Sequence, residues 1–235
     1  MGCVEATADG GSRLVEVHER DASNLADGLI DTDDAIKLSV KDSWLSASSD
    51  TIQVTRDDGT DFLSVKGTTL ALCSRVVFLS ASREPLAVCM MRPVHVGLGL
   101  SGSGFYVLGR GFYIYSLGPR FKGQPSSGKE HDGKPLYTWA HVQAGMFSWQ
   151  SYTLTMATEE DTFEGDSYTA ETDSIAAHDM LMKKNGKACC LFERGWSQQG
   201  SFDSHRLTVA PGIDPVLMCC FIVMKDVLSS SDEGL

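Results

Sequence analysis

Gly97-Leu-Gly-Leu-Ser-Gly102 has the Gly-x-Gly-x-x-Gly spacing by which a backbone can wrap a dinucleotide pyrophosphate. That chemistry needs a strand turning into a helix whose N-terminus faces the phosphates. The chain continues instead as Gly104-Phe-Tyr-Val107, a strand pattern, and position 120, near where a ribose-binding acid would lie, is Arg. The motif therefore reads as a connection between strands, and no cofactor is expected. Ser101 and Ser103 lie among the same glycines without forming a Gly-x-Ser-x-Gly nucleophile turn. The histidines, at 18, 95, 131, 141, 178 and 205, show neither His-x-x-His nor His-Glu-x-x-His spacing. They read as surface or strand histidines rather than metal ligands. Glu159-Glu-Asp-Thr-Phe-Glu-Gly-Asp166 raises calcium, but it lacks the alternating oxygen ligands, the turn glycine and the closing bidentate Glu of an EF-hand. It reads as a solvated loop. No catalytic residue and no metal ligand is expected.

Binding chemistry has more support. Lys183, Lys184 and Lys187 flank one hairpin, and Arg120 and Lys122 sit in another loop. The three hairpin lysines are the candidate contacts to an anionic lipid, against the plainer reading of a solvated hairpin tip. Met1-Gly2-Cys3 makes Gly2 a candidate for myristate and Cys3 for palmitate, and stable anchoring takes two such chains. Against acylation, position six is Ala rather than Ser or Thr, and the residues beyond it are acidic instead of polybasic.

The elements that must position these residues are strands and one helix. Asp214 is a good N-cap, because its carboxylate can accept a hydrogen bond from an unpaired first-turn N–H. Pro215 falls at the first helical position, where its missing N–H costs nothing. From Val216 to Met224 no side chain is polar. A helix apolar on every side is a membrane span or the centre of a core, and nine residues is well short of the roughly 20 a span requires. The helix over 214–228 is expected to be buried, with Val216, Leu217, Met218, Phe221, Ile222 and Met224 in the core. Upstream, period-2 alternation and turn residues give ten to twelve strands. Asp57-Asp58-Gly59 and Lys184-Asn185-Gly186-Lys187 are hairpin turns, because Gly and Asn tolerate the positive φ such turns need. Residues 105–108, 112–115, 135–144 and 150–157 are strands rich in aromatic and β-branched residues, and 119–134 is a polar surface loop. The strand number and spacing suit an all-β barrel or sandwich, and of the two a barrel removes the exposed strand edges.

Leu207-Thr-Val-Ala-Pro-Gly-Ile-Asp214 resembles the ending of the LURP-one-related proteins: a strand, then Pro-Gly-(Val/Ile)-Asp, then an apolar helix. Ile36–Lys41 resembles that family's first barrel strand, Thr51–Val65 its next hairpin and Met180–Ala188 a late one. Val76–Val88 is similar to its third hairpin, where the family usually has Asp-x-x-Gly-x-x-Leu and Glu84-Pro85 stands in place of the turn glycine. The resemblance spans roughly 36–228. It implies the tubby C-terminal-like fold, mainly β with a closed antiparallel barrel of about twelve strands around the buried C-terminal helix. That fold is shared with tubby proteins, which bind phosphoinositide head groups, and with phospholipid scramblases. Many scramblases carry an acidic calcium segment before the last helix. Arg194–Ser204 holds that place here, with a single acid, and no proline-rich leader precedes the domain.

Charge is unevenly placed. The net charge is −11, of which residues 1–34 hold −7, and 158–174 hold seven acids and no base, so the remainder is about +3. The expected organisation is an acidic, disordered leader over 1–34, one domain over 35–229 and a polar tail over 230–235. Seven cysteines, odd in number and without Cys-x-x-Cys spacing, argue against a disulfide framework or a zinc site. They favour an intracellular, cytoplasmic setting, with peripheral membrane association open. The functional expectation is a non-enzymatic, monomeric module that binds a membrane phospholipid head group or a protein partner, with no nucleic-acid partner. The alternative is a scramblase-like protein whose last helix enters the bilayer, and an enzyme is the third option.

Overall fold

The computed structural model describes residues 3–6, 13–16, 34–41, 51–67, 75–98, 105–144, 151–158, 166–172, 180–195 and 204–232. In chain order the strands are β1 (Cys3–Ala6), β2 (Arg13–Glu16), β3 (Ile36–Lys41), β4 (Thr51–Arg56), β5 (Asp61–Gly67), β6 (Arg75–Ser80), β7 (Pro85–Leu98) and β8 (Phe105–Ser116). They continue with β9 (Glu130–His131), β10 (Lys134–Pro135), β11 (Tyr137–Ala144), β12 (Ser151–Met156), β13 (Ser167–Thr172), β14 (Met180–Lys184), β15 (Lys187–Gly195) and β16 (Ser204–Val209). One helix, α1 (Pro215–Asp232), closes the series. Twelve strands form a closed antiparallel barrel in the order β3 to β8, then β11 to β16. Its seams are β16 on β3, with Val209 opposite Ile36, and β8 on β11. Closure leaves no ladder edge along the wall.

The barrel is a barrel because its strands alternate. In β4 Ile52 and Val54 are buried while Thr51 is exposed and Gln53 half-buried, and in β12 Tyr152, Leu154 and Met156 are the buried set. The inward rows from all twelve strands would leave a hollow, and α1 fills it. Every residue from Val216 to Met224 is buried, including Val216, Leu217, Met218, Phe221, Ile222 and Met224. Phe221 meets Tyr152 edge-on, ring centroids 6.3 Å apart. Entry of the helix is set by Ala210-Pro-Gly-Ile213, where Ile213 N–H donates to the Ala210 carbonyl and Gly212 takes φ +84°. That is a turn with Pro second and Gly third, the positions their backbones suit. Asp214 Oδ1 then accepts from the N–H groups of Val216 (2.8 Å) and Leu217 (3.2 Å), capping the helix inside the protein. The helix runs to Asp232, four residues past the expected end and into the segment read as a polar tail.

Three further expectations meet the structure. Within 1–34, β1 and β2 pair as an antiparallel hairpin with Val4 opposite Val15, and β2 lies near β15. Charge alone gave no reason to expect that element. Residues 119–134 are not a bare loop. Leu136 is buried against Val88 and Tyr115 on the outside of the barrel, and the Gln124 amide donates to Thr138 O (2.7 Å) while its oxygen accepts from Arg120 N–H (2.6 Å). The two strands read at 105–108 and 112–115 are one continuous strand, β8, because Gly109-Arg110-Gly111 stays in register with β7.

Candidate functional site

With α1 filling the interior, the candidate cleft lies on the outer wall. The outward rows of β4, β5 and β6 form the floor of a cleft of about 580 Å³. Gln53, Ser64, Val77 and Leu79 lie along its middle, Asp61 and Arg83 at one end, and Lys66 with the β9–β10 hairpin at the other. Asp61 and Lys66 are five residues apart on β5, about 17 Å of extended strand.

Two local structures make the ends. The β9–β10 hairpin turns at Asp132-Gly133, φ +50° and +74°, and is tied down onto β6. Arg75 Nη2 donates to the Glu130 carbonyl (2.9 Å) and to His131 Nδ1 (2.8 Å). An arginine only donates, so Nδ1 must be the accepting nitrogen and the ring proton sits on Nε2, which is 3.6 Å from Asp132 Oδ2. His131 thereby forms part of the cleft wall.

The other end is the β6–β7 turn. Arg83 N–H donates to Ser80 O (2.8 Å), Ser80 N–H to Glu84 O (2.7 Å), and Arg83 takes φ +64°. The family's Asp-x-x-Gly-x-x-Leu therefore falls on Ser80-Ala-Ser-Arg83-Glu-Pro-Leu86. The glycine's place is taken by Arg83, not by Glu84-Pro85, which corrects the sequence reading. A non-glycine residue with this φ costs roughly 1 kcal/mol or more, and here it sets an exposed guanidinium at the cleft mouth.

A family model described as LURP-one-related matches residues 36–226. The chain belongs to the LURP-one-related family. In fold it is similar to a protein of Arabidopsis thaliana solved by X-ray crystallography, at 12% identity and a TM-score of 0.54, over 88% of this chain and 99% of that one. No curated protein matches it by sequence.

The LURP-one-related barrel does not present its three hairpin lysines as one patch. Asn185-Gly186 makes the expected tight turn, φ +52° and +80°, but Lys184 shares the inward row of Met180 and Met182. It is buried, its Nζ 2.9 Å from Asp166 Oδ2 and 5.5 Å from the Tyr168 ring centre. Lys184 is thus withdrawn from any flat contact, while Lys183 is half-buried and Lys187 exposed. Arg120 is also engaged, donating to Ala157 O at 2.7 Å. Gly2 and Ser101, Ser103, His18 and His178 lie outside the described residues, as do 99–102 of the glycine motif, and Cys3 opens β1. The described elements flanking that motif are β7 and β8, paired at Leu98 and Phe105, where dinucleotide binding needs a helix.

His141 and His205 are built into the barrel wall, and Cys190, Cys219 and Cys220 into its interior. His141 stacks on Tyr113 at 4.8 Å, and burial lowers its pKa. His205 is buried and stacks on Phe192. Cys190, Cys219 and Cys220 are buried, and desolvation pushes their thiols up, which suppresses the reactive thiolate. Among the described residues no three His, Cys, Asp or Glu side chains converge as a metal site. The cleft residues were invisible to motif reading because positions 53–66 and 75–83 meet only through barrel register, and 131–132 join them through the hydrogen bonds of Arg75. The one available signal was a bulky residue where the hairpin pattern has glycine.

Proposed function

We propose that this LURP-one-related protein is a non-enzymatic module that binds an anionic phospholipid through its head group, held in the outer cleft. The observation that carries the reading is the order of groups along the cleft: a cation at each end, Arg83 and Lys66, with Gln53 and Ser64 between them. An extended ligand with anionic groups at its ends and hydroxyls between them suits that order, as a phosphorylated polyol does. Asp61 and Asp132 can only accept hydrogen bonds when ionised, so they favour ligand hydroxyls and disfavour additional phosphates. Membership of the family and the tubby-like barrel support the same reading. Lys183 and Lys187 sit on the β14–β15 hairpin, away from the cleft in the barrel order, and would add general attraction to an anionic surface.

The scramblase-like alternative asks α1 to enter a bilayer. No helix among the described residues is long and apolar enough to cross a membrane, and the apolar part of α1 is buried in the barrel. It would have to leave the core to reach lipid.

Co-sedimentation with phosphatidylcholine vesicles, with and without a phosphatidylinositol phosphate, tests the reading. Binding should require the anionic lipid, weaken with salt as screening shortens to about 8 Å at physiological ionic strength, and fall sharply in Lys66→Glu/Arg83→Glu. Equal binding by that double variant would remove the cleft as the site.

A further inference from the structure

The outer cleft is too long for one phosphorylated ring. Register lays out its floor along the strands: Lys66 beside Thr51 and Val77, then Ser64 beside Gln53 and Leu79, then Asp61 and the turn that carries Arg83. From Lys66 to Asp61 the extended β5 covers about 17 Å. The β9–β10 hairpin adds to the Lys66 end, because Arg75, which ties it down, lies two residues beyond Val77 on β6. A six-membered polyol ring with phosphates on opposite carbons spans only about three residues of strand, roughly 10 Å. One such ring leaves part of the floor uncovered.

Lengthwise the floor divides into two strips. Thr51, Gln53 and Ser64, from β4 and β5, offer hydroxyls and an amide, while Val77, Leu79 and Pro85, from β6 and β7, are aliphatic ground beside them. Two exposed carboxylates stand near opposite ends, Asp61 toward Arg83 and Asp132 toward Lys66. A ligand made only of phosphates would gain nothing from the aliphatic strip and would be repelled by both carboxylates. A sugar chain suits all of these groups. Its hydroxyls donate to carboxylates and exchange hydrogen bonds with amides and hydroxyls, and its C–H faces lose water against aliphatic side chains.

We propose that the lipid held here is an acidic glycolipid, its head group a phosphate, about two linked six-membered rings and a second acid on the far ring. The assignment rests on the lipid reading of the cleft and names the class of head group. The terminal acids meet Lys66 and Arg83. Ring hydroxyls meet Gln53, Ser64, Asp61 and Asp132, and ring C–H faces lie on Val77 and Leu79. Length is then what the cleft selects: a single ring engages one cation fully, and a longer head group engages both.

The test uses the full chain and phosphatidylcholine vesicles carrying either a phosphatidylinositol monophosphate or an inositol phospholipid whose ring bears a uronic acid. The second should bind about tenfold more tightly, the gain from one further hydrogen bond to a charged group. Lys66→Ala and Arg83→Gly should each weaken its binding by about tenfold, and Gln53→Ala/Ser64→Ala should cost the longer head group several-fold more than the shorter. Thermal melting checks that each variant is folded. Equal affinity for the two lipids, or a loss in only one of the two single variants, overturns the glycolipid assignment and leaves the cleft reading standing. If neither lipid binds, or both bind Lys66→Glu/Arg83→Glu as well as the wild type, the cleft reading and the assignment fall together. The deacylated head group of the longer lipid should compete with its vesicles. Binding of that free head group, measured by calorimetry, with none to the vesicles overturns a membrane lipid as its source.

Discussion

Strands β4, β5 and β6 carry two faces on one backbone, and the two obey different rules. Inward, Ile52, Val54, Val65, Val76 and Phe78 are buried in the same cluster as α1. Outward, one residue away in each case, Gln53, Ser64, Lys66, Val77 and Leu79 line the cleft. A change on the inner face must be absorbed by a filled, close-packed interior. A change on the outer face meets water. Binding chemistry can therefore be placed on the outer row at almost no cost to the fold, provided strand phase is preserved.

The contrast is broken most severely from inside. Phe221→Asp puts an unpaired charge at the centre of the barrel, at a cost of several kcal/mol, on the order of the whole folding stability. The variant should be insoluble or non-cooperative in urea, and a soluble protein with a sharp unfolding transition would contradict the burial of α1. Next in size, Phe78→Ala should cost about 3–5 kcal/mol by leaving a cavity, whereas Lys66→Ala should shift stability by no more than about 0.5 kcal/mol while weakening vesicle binding. Similar unfolding midpoints for those two variants would erase the distinction between faces.

Smaller effects sharpen it. The β4–β5 and β6–β7 turns share one hydrogen-bond pattern, since Gly59 N–H donates to Arg56 O and Arg56 N–H to Thr60 O, as Arg83 and Ser80 do in theirs. Gly59 holds φ +81° in the first and Arg83 holds φ +64° in the second. Arg83→Gly should therefore raise stability by up to about 1 kcal/mol and lower vesicle binding, a trade that marks the arginine as kept for contact rather than for folding. Unchanged binding with raised stability would assign it no role. The least effect is a pH dependence. Burial lowers the pKa of His141 below its ordinary 6.5, so the unfolded chain takes up a proton first as pH falls. Its contribution is present above the ordinary value and is lost on acidification toward the folded one. His141→Gln should flatten that part of the stability profile, as read by melting temperature against pH.

Much of the fold was legible because it rests on local pattern. Pro211-Gly212 before Asp214 fixed the turn and the cap, and nine apolar residues without a polar face left the helix only a core to occupy. The phase of β14 was harder. Met180, Leu181 and Met182 are all apolar, so alternation did not reveal that Lys184 joins Met180 and Met182 in pointing inward. The cleft was not legible, since its two cations lie on different elements and its wall comes from a hairpin some 50 residues further along the chain. Barrel register brings β4, β5 and β6 together, and the Arg75 hydrogen bonds to Glu130 and His131 hold the hairpin against them, so neither arrangement belongs to any short stretch.

The order of elements along the chain has a consequence for how the protein is made. β3 cannot find β16, nor any inward row its filling, until the ribosome has passed residue 209 and then completed α1. At about 5–20 residues per second, some 10–35 s separate synthesis of the first barrel strand from that of the helix. By the end of that interval the nascent chain carries twelve half-apolar strands with nothing yet to close around. Contacts so distant in sequence also make for slow folding. Chaperone dependence during synthesis, and sensitivity to any pause just before codon 215, are the expected consequences of placing the plug after the strands.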